Sequence, residues 1–291
     1  MLPRPYRLLL PERRETSVVF ASPHSGRMYP ASFLRASVLD NKTIRSSEDA
    51  FVDQLLEGVP HLGAPLLAAT APRAFIDLNR APDELDPALV EGVLPGAHNP
   101  RVTSGLGVVP RVVAGGRAIY RGKMTRHEAE TRIARWWQPY HRRLGDLLDE
   151  SHAAFGQAIL IDVHSMPHEA IDAVAAAGAR AGLRRPEVVI GDRFGASASD
   201  EVVARIEAAF ERVGLRVMRN APFAGAYVAQ TYGRPGRNRH AVQVEIDRAL
   251  YMNEREVRPN GNFEGFRQML SGVLAEIAAV GRPAGRALAA E

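Results

Sequence analysis

The chain has 291 residues, 46% of them hydrophobic, with a formal net charge of +4 and no cysteine. That length supports one large core or two modest ones; the lack of cysteine excludes disulfides and thiolate metal sites and suits a reducing cytoplasm; no apolar run nears the ~18 residues of a membrane span. Lys42 and Lys123 are the only lysines, so the basic charge is almost all arginine, scattered without a basic block. Nucleic acid is therefore not expected as a partner, whereas small acidic molecules suit a few well-placed arginines. The N-terminal patch Leu8-Leu9-Leu10 is stopped by Pro11-Glu12-Arg13-Arg14 and does not read as a signal peptide.

In chain order, residues 17–22 predict a buried strand that runs into Pro23-His24-Ser25-Gly26. Residues 47–58 predict a helix with Ser46 or Ser47 as N-cap and Glu48 and Asp49 in its first turn, where acids satisfy the helix dipole. Strands follow at 65–70 and 73–78, the second closed by Asn79-Arg80. The stretch 81–116 is rich in Pro and Gly and reads as a long loop walling a site, with His98 in it solvated. A long helix is predicted over 125–154 from the T-x-x-E box of Thr125 and Glu128 and an apolar stripe of Ile133, Trp137, Tyr140, Leu144 and Leu147, with Gly156 as its stop. His141 and His152 are expected on its surface. Strands are predicted at 157–164, 187–191, 214–219, 226–231 and 240–247, and helices at 198–212 and 262–280. The alternation predicts one α/β domain over residues 1–291: a three-layer sandwich whose mixed, mostly parallel sheet carries helices on both faces.

Chemistry gathers at strand ends. Strand 17–22 leads to His24, and "AILIDVHSMP", residues 158–167, leads to His164. Ligands collect at the carboxyl ends of strands in α/β sheets. Two imidazoles and one carboxylate would make a three-ligand catalytic zinc site with an open position. Glu48 and Asp49 are the candidate carboxylates, and Asp162 could orient His164. In "RHAVQVEIDR", residues 239–248, Glu245 lies in mid-strand, where burial is costly unless the group is paired or functional. Beside a metal-activated water it could serve as a general base; a solvated Gln243/Glu245/Asp247 face is the competing reading. The guanidinium of Arg80 beside the Asn79 amide could grip a carboxylate. The "GDRFG" loop, residues 191–195, is weak evidence for anion binding.

In order along residues 17–270, PHSG, SED with Val52-Asp53, IDLNR, PYH, IDVHSMP, GDRFG and HAVQVEIDR with Tyr251-Met252 and Glu254 resemble the N-formylglutamate amidohydrolase family. The resemblance implies the fold of zinc-dependent exopeptidases. It also implies one zinc per chain, hydrolysis of an N-formyl amide, and a small acidic N-acyl amino acid as substrate. Zinc carboxypeptidases and aspartoacylases place a Glu three residues after the first His. Here that position is Arg27, so the third ligand comes from elsewhere, and the family pattern favours Asp49. The resemblance further implies Arg73 on the oxyanion, Asn79 and Arg80 on a substrate carboxylate, and Glu245 as the base. Arg193, Arg237 and Arg239 are candidates for a second carboxylate. The alternatives are a carboxypeptidase-like or other N-acyl-amino-acid hydrolase and, in a different class, a non-enzymatic binding module.

Overall fold

The structure, a computed structural model, describes residues 4–94, 96, 99–172 and 185–283. His98 lies outside them. Seven strands form the main sheet: β1 (Tyr6–Leu9), β2 (Val18–Ser22), β3 (Leu66–Ala69), β6 (Ala158–Met166), β7 (Val188–Gly191), β8 (Val217–Arg219) and β9 (Arg239–Asp247). Between β3 and β6 the short β4 (Val112–Val113) and β5 (Arg117–Ala118) make a separate hairpin. The order across the sheet is β1-β3-β2-β6-β9-β7-β8. Pairing is parallel except at β1–β3 and β7–β9.

The central strands are buried on both faces, which is why they read as nearly continuous apolar runs. Val18, Phe20, Ile159, Ile161, Val242 and Val244 face one layer, built on the helices Asp200–Arg212 and Phe263–Val280. Val19, Ala21, Leu160 and Ala241 face the other, where Tyr140, Leu144 and Leu147 of the long helix pack. The helices therefore cover both faces, and the expected three-layer α/β architecture holds. Among the described residues no helix is long and apolar enough to cross a membrane.

The long helix starts as predicted: Thr125 Oγ1 accepts the Glu128 N–H at 3.2 Å. It runs over Arg126–Arg132, widens into a π turn at Ile133–Trp137, and continues over Gln138–Phe155 to Gly156 at φ 72°. Pro139 explains the wide turn, because a proline has no N–H for an α-helical bond and its ring crowds the carbonyl four residues back. The extra residue shifts the predicted stripe. Trp136 goes into the core, and Trp137 is half-buried with its Nε1–H on the Arg80 carbonyl at 2.9 Å. His141 is not on the surface. It is buried, its Nε2 bonds the Leu78 carbonyl at 2.8 Å, and burial pulls its pKa down to about 4.

Three other predicted elements differ. Residues 73–78 form turns, with the N–H groups of Phe75 and Ile76 bonded to the Pro72 carbonyl. They cannot pair with β3, the strand just before them, since β1, left unassigned in the sequence, and β2 occupy both its sides. Residues 226–231 belong instead to the helix Tyr227–Tyr232, which starts just after Gly225 at φ 103°. The helix predicted at 47–58 shrinks to Val52–Leu55. Neither Ser46 nor Ser47 caps it: Phe51, at φ 68°, holds the N-cap position, and the Asp49 N–H is drawn to the His24 carbonyl at 3.1 Å.

That last contact depends on how tightly the Pro23–Gly26 turn sits. A Cβ on Gly26 would lie 2.1 Å from the Ala71 carbonyl oxygen. Gly26→Ala is expected to cost on the order of 1–3 kcal/mol, the usual range for overpacking. Urea denaturation checks this, and an unchanged midpoint would show that the turn has room to spare.

Candidate metal centre

The site is built by register. In the parallel pair β6–β9, Asp162 lies opposite Gln243 and His164 opposite Glu245. Matched residues of adjacent strands share a face. All four side chains thus project beyond Leu160 and Ala241, on the long-helix side, toward the carboxyl ends. His24 arrives two residues past the end of the neighbouring β2, and Asp49 is delivered by its backbone bond to His24. All of these polar side chains are buried, which rules out the solvated-face reading of Gln243, Glu245 and Asp247.

His24, Asp49 and His164 converge. Nδ1 of His164 lies 3.1 Å from Nδ1 of His24 and 3.0 Å from Oδ2 of Asp49, and His24 Nδ1 lies 3.5 Å from the same oxygen. The outer nitrogens are engaged: His24 Nε2 meets Asp77 Oδ1 at 2.7 Å, and His164 Nε2 meets Asp162 Oδ2 at 3.0 Å. An ionised carboxylate only accepts, so both imidazoles carry their proton on Nε2. In their neutral form that leaves two nitrogen lone pairs and a carboxylate oxygen crowded together, a repulsive arrangement in a dry interior unless a cation sits among them. Tetrahedral zinc with bonds of about 2.0–2.1 Å separates its ligand atoms by about 3.3 Å. The observed edges fit that triangle. Carboxylates behind metal-bound histidines are the usual device for fixing tautomer and ring orientation.

Charge follows the same geometry. Burial works against the ionised Asp49, but His164 and His24 hold its carboxyl well below the usual range. Burial also opposes charge on His164, yet Asp162 and Asp49 lift it well above an ordinary histidine. A metal would take the proton's place. Glu48, the competing acid, points elsewhere: it takes Arg45 Nε and Nη2 at 3.0 Å each and the Tyr29 hydroxyl at 2.6 Å.

Glu245 borders the cavity beside this group. Gln243 Nε2 donates to its Oε1 at 2.8 Å. Burial, reinforced by Asp49 and opposed by His164 and Arg73, pushes the Glu245 carboxyl up to about 7. Arg73 gives its Nε–H to Asp77 Oδ2 at 3.0 Å and turns its outer nitrogens, unpartnered among the described residues, to the cavity. Asn79 is largely committed, its Oδ1 accepting the Val228 N–H at 2.8 Å and its Nδ2 lying 3.3 Å from Gln243 Oε1. Arg80 spends Nε on the Leu106 carbonyl and Nη1 on that of Asn79, and also lines the cavity. The cavity, about 640 Å³, is completed by Arg101, Leu106 and Val112–Gly116 from the Pro/Gly-rich stretch, and by Pro222–Ala226.

Several site residues were not singled out from the sequence. Asp77 joins His24 to Arg73, and Gln243 fixes Glu245. Arg248 is buried and donates to Asp49 Oδ1 at 3.2 Å and to Ser165 Oγ at 3.1 Å, so it turns the other Asp49 oxygen toward the histidines. Each lies inside a quoted motif, IDLNR or HAVQVEIDR, but nothing local marks its partner. The three arginines proposed for a second carboxylate do not line the cavity. Arg237 and Arg239 lie at the opposite, amino end of β9, Arg239 paired with Asp149 at 2.7 Å. Arg193, at φ 55° on the loop after β7, gives its N–H to the Ala224 carbonyl at 2.7 Å.

Comparison with known proteins agrees with this geometry. The family model for N-formylglutamate amidohydrolase matches residues 16–252. The N-formylglutamate deformylase of Pseudomonas aeruginosa is 31% identical over 252 residues, covering 84% of this chain and 85% of that one. The crystal structure of an N-formylglutamate amidohydrolase from Ralstonia eutropha superposes with a TM-score of 0.86 at 35% identity, over 96% of this chain and 99% of that one. A gene product of Agrobacterium tumefaciens shares the fold at a TM-score of 0.64 and 15% identity, covering 96% of each chain. With a matched region that spans both histidines, Asp49 and Glu245, this chain belongs to the N-formylglutamate amidohydrolase family.

Proposed function

We propose that this protein is a zinc-dependent deformylase that hydrolyses N-formylglutamate to formate and glutamate. The observation that carries the reading is the buried triangle of His24, Asp49 and His164 beside the buried carboxyl of Glu245. The family and the relatives named for this reaction support the substrate. His24, Asp49 and His164 would hold one zinc, which when bound supplies a Lewis acid able to polarise the formyl group and acidify a water near pH 7.

The chain's own groups supply the rest. Glu245 removes a proton from the attacking water as its oxygen bonds to the formyl carbon. The same carboxyl then delivers that proton to the amide nitrogen as the C–N bond breaks, releasing formate and the free amine. Accepting and then returning one proton is what general acid–base catalysis asks of a single carboxyl. Gln243 keeps one Glu245 oxygen occupied, so the other is the one that works. The free edge of the Arg73 guanidinium faces the carbonyl oxygen as it gains charge. Arg80, with an Nη2 unpartnered among the described residues, receives a substrate carboxylate, with Asn79 beside it in the cavity wall.

Elemental analysis of the purified protein should find about one zinc per chain. His24→Ala, His164→Ala and Asp49→Asn are each expected to reduce it to near zero, while Glu48→Gln keeps it. A variant that retains full metal removes its residue from the ligand set.

Glu245→Gln should keep its metal and lose turnover by roughly 10² to 10⁴-fold, the usual contribution of a general acid–base group. Activity within a few-fold of the parent would exclude Glu245 as the proton carrier.

Arg80 and Arg73 make a crossed pair. Lysine keeps the charge but not the two-pronged geometry. Arg80→Lys is expected to raise KM for N-formylglutamate more than it lowers kcat, whereas Arg73→Lys lowers kcat more than it raises KM. Steady-state kinetics with zinc content checked decides, and the opposite pattern would exchange the two roles.

A further inference from the structure

Four arginines line the cavity, Arg73, Arg80, Arg101 and Arg248, and Glu245 is the one carboxylate lining it among the described residues. Three of the four have protein partners. Arg73 holds Asp77, Arg248 holds Asp49 and Ser165, and Arg80 lies on the carbonyls of Leu106 and Asn79. The Arg101 side chain has no hydrogen bond or ion pair among the described residues and is exposed.

Its backbone, however, is pinned. Asn99 Oδ1 accepts the Arg101 N–H at 3.0 Å, and the Leu106 N–H bonds the Arg101 carbonyl at 2.8 Å. The Leu106 carbonyl takes Arg80 Nε at 2.9 Å, so a single residue ties Arg80 to the turn that carries Arg101. Burial lowers the Arg80 pKa, and Arg73 and Arg101 both push the same way while Asp77 and Glu84 oppose them. Glu84 is already engaged, accepting from the Ala81 N–H and Asn99 Nδ2.

Exposure orders these three guanidiniums along the cavity: Arg80 is buried, Arg73 half-buried and Arg101 exposed at the rim. Arg101 is therefore the outermost. A dicarboxylic N-formyl amino acid has a matching order: formamide, then a carboxylate on the same carbon, then a second carboxylate three bonds further out.

We propose that Arg101 binds the side-chain carboxylate of the substrate and so makes the enzyme selective for dicarboxylic over neutral N-formyl amino acids. The inference rests on the deformylase reading, with Arg80 left for the inner carboxylate. It replaces Arg193, Arg237 and Arg239 in that role.

The test compares kcat/KM for N-formylglutamate and N-formylglutamine, which has nearly the same shape and no side-chain charge. The zinc-loaded parent is expected to prefer the acid strongly. In R101Q the ratio of the two values should fall by about tenfold to hundredfold, the range for a charged hydrogen bond lost at a partly solvated site. R101E should lower it further, because an anion then faces an anion. A ratio in R101Q within threefold of the parent, or an R101E no worse than R101Q, overturns the proposal while leaving the deformylase reading intact. Failure of the parent to hydrolyse either compound overturns that reading and takes this one with it.

Discussion

Three acceptor atoms held 3.0–3.5 Å apart in a water-poor interior are the constraint on which the rest of the molecule depends. Left alone they would spread, because two imidazole lone pairs and a carboxylate repel. The structure opposes that with partners behind each one. Asp77 backs His24, Asp162 backs His164, and Arg248 backs Asp49. Arg73 in turn neutralises Asp77. Of the four central carboxylates, Asp49 and Asp77 pair with an arginine, while Asp162 and Glu245 do not among the described residues. With both imidazoles neutral the arrangement is short of positive charge at the point where the lone pairs meet, and the group could hold a metal ion there. Burial alone makes such an anionic cluster costly.

Placing these groups depends on backbone features that carry no chemistry themselves. Parallel pairing sets His164 beside Glu245 on one face, and a shift of one residue would turn every one of these side chains into the opposite core. The Gly26 turn lets the chain past His24 approach Ala71 closely enough for the Asp49 N–H to reach the His24 carbonyl. The three candidate ligands, His24, Asp49 and His164, come from three separate segments.

That explains what could be read from the sequence. His24 and His164 were legible because each sits at the end of an apolar strand, a local pattern. The layers were legible because β2, β6 and β9 are apolar throughout. Asp162 was legible as a partner of His164, being two residues away on the same face. Asp77 and Arg248 were not, since their importance lies in contacts 53 and 199 residues distant, to His24 and Asp49; Gln243, though only two residues from Glu245, read as part of a solvated face. The helix at 47–58 and the strand at 73–78 failed for a related reason. Local propensity favoured regular structure, and tertiary bonds to the site and the occupied sides of β3 overrode it.

The segment Ile76–Arg80 shows how that override is stabilised. Strand-like in composition, it has no ladder to satisfy its backbone, and buried carbonyls need partners. The long helix supplies them through side chains: His141 bonds the Leu78 carbonyl and Trp137 the Arg80 carbonyl. Val108 takes the Asp77 N–H, and Asp77 itself takes that of Asn79. The two helix residues lie four apart, one turn, and the two carbonyls two apart, so one helix face can serve both. The π turn at Ile133–Trp137 immediately precedes this face and sets which tryptophan is presented. A helix residue that looks like surface in the sequence, His141, is therefore buried because it substitutes for a missing strand, and through Leu78 it helps fix the segment whose last residue, Arg80, borders the cavity.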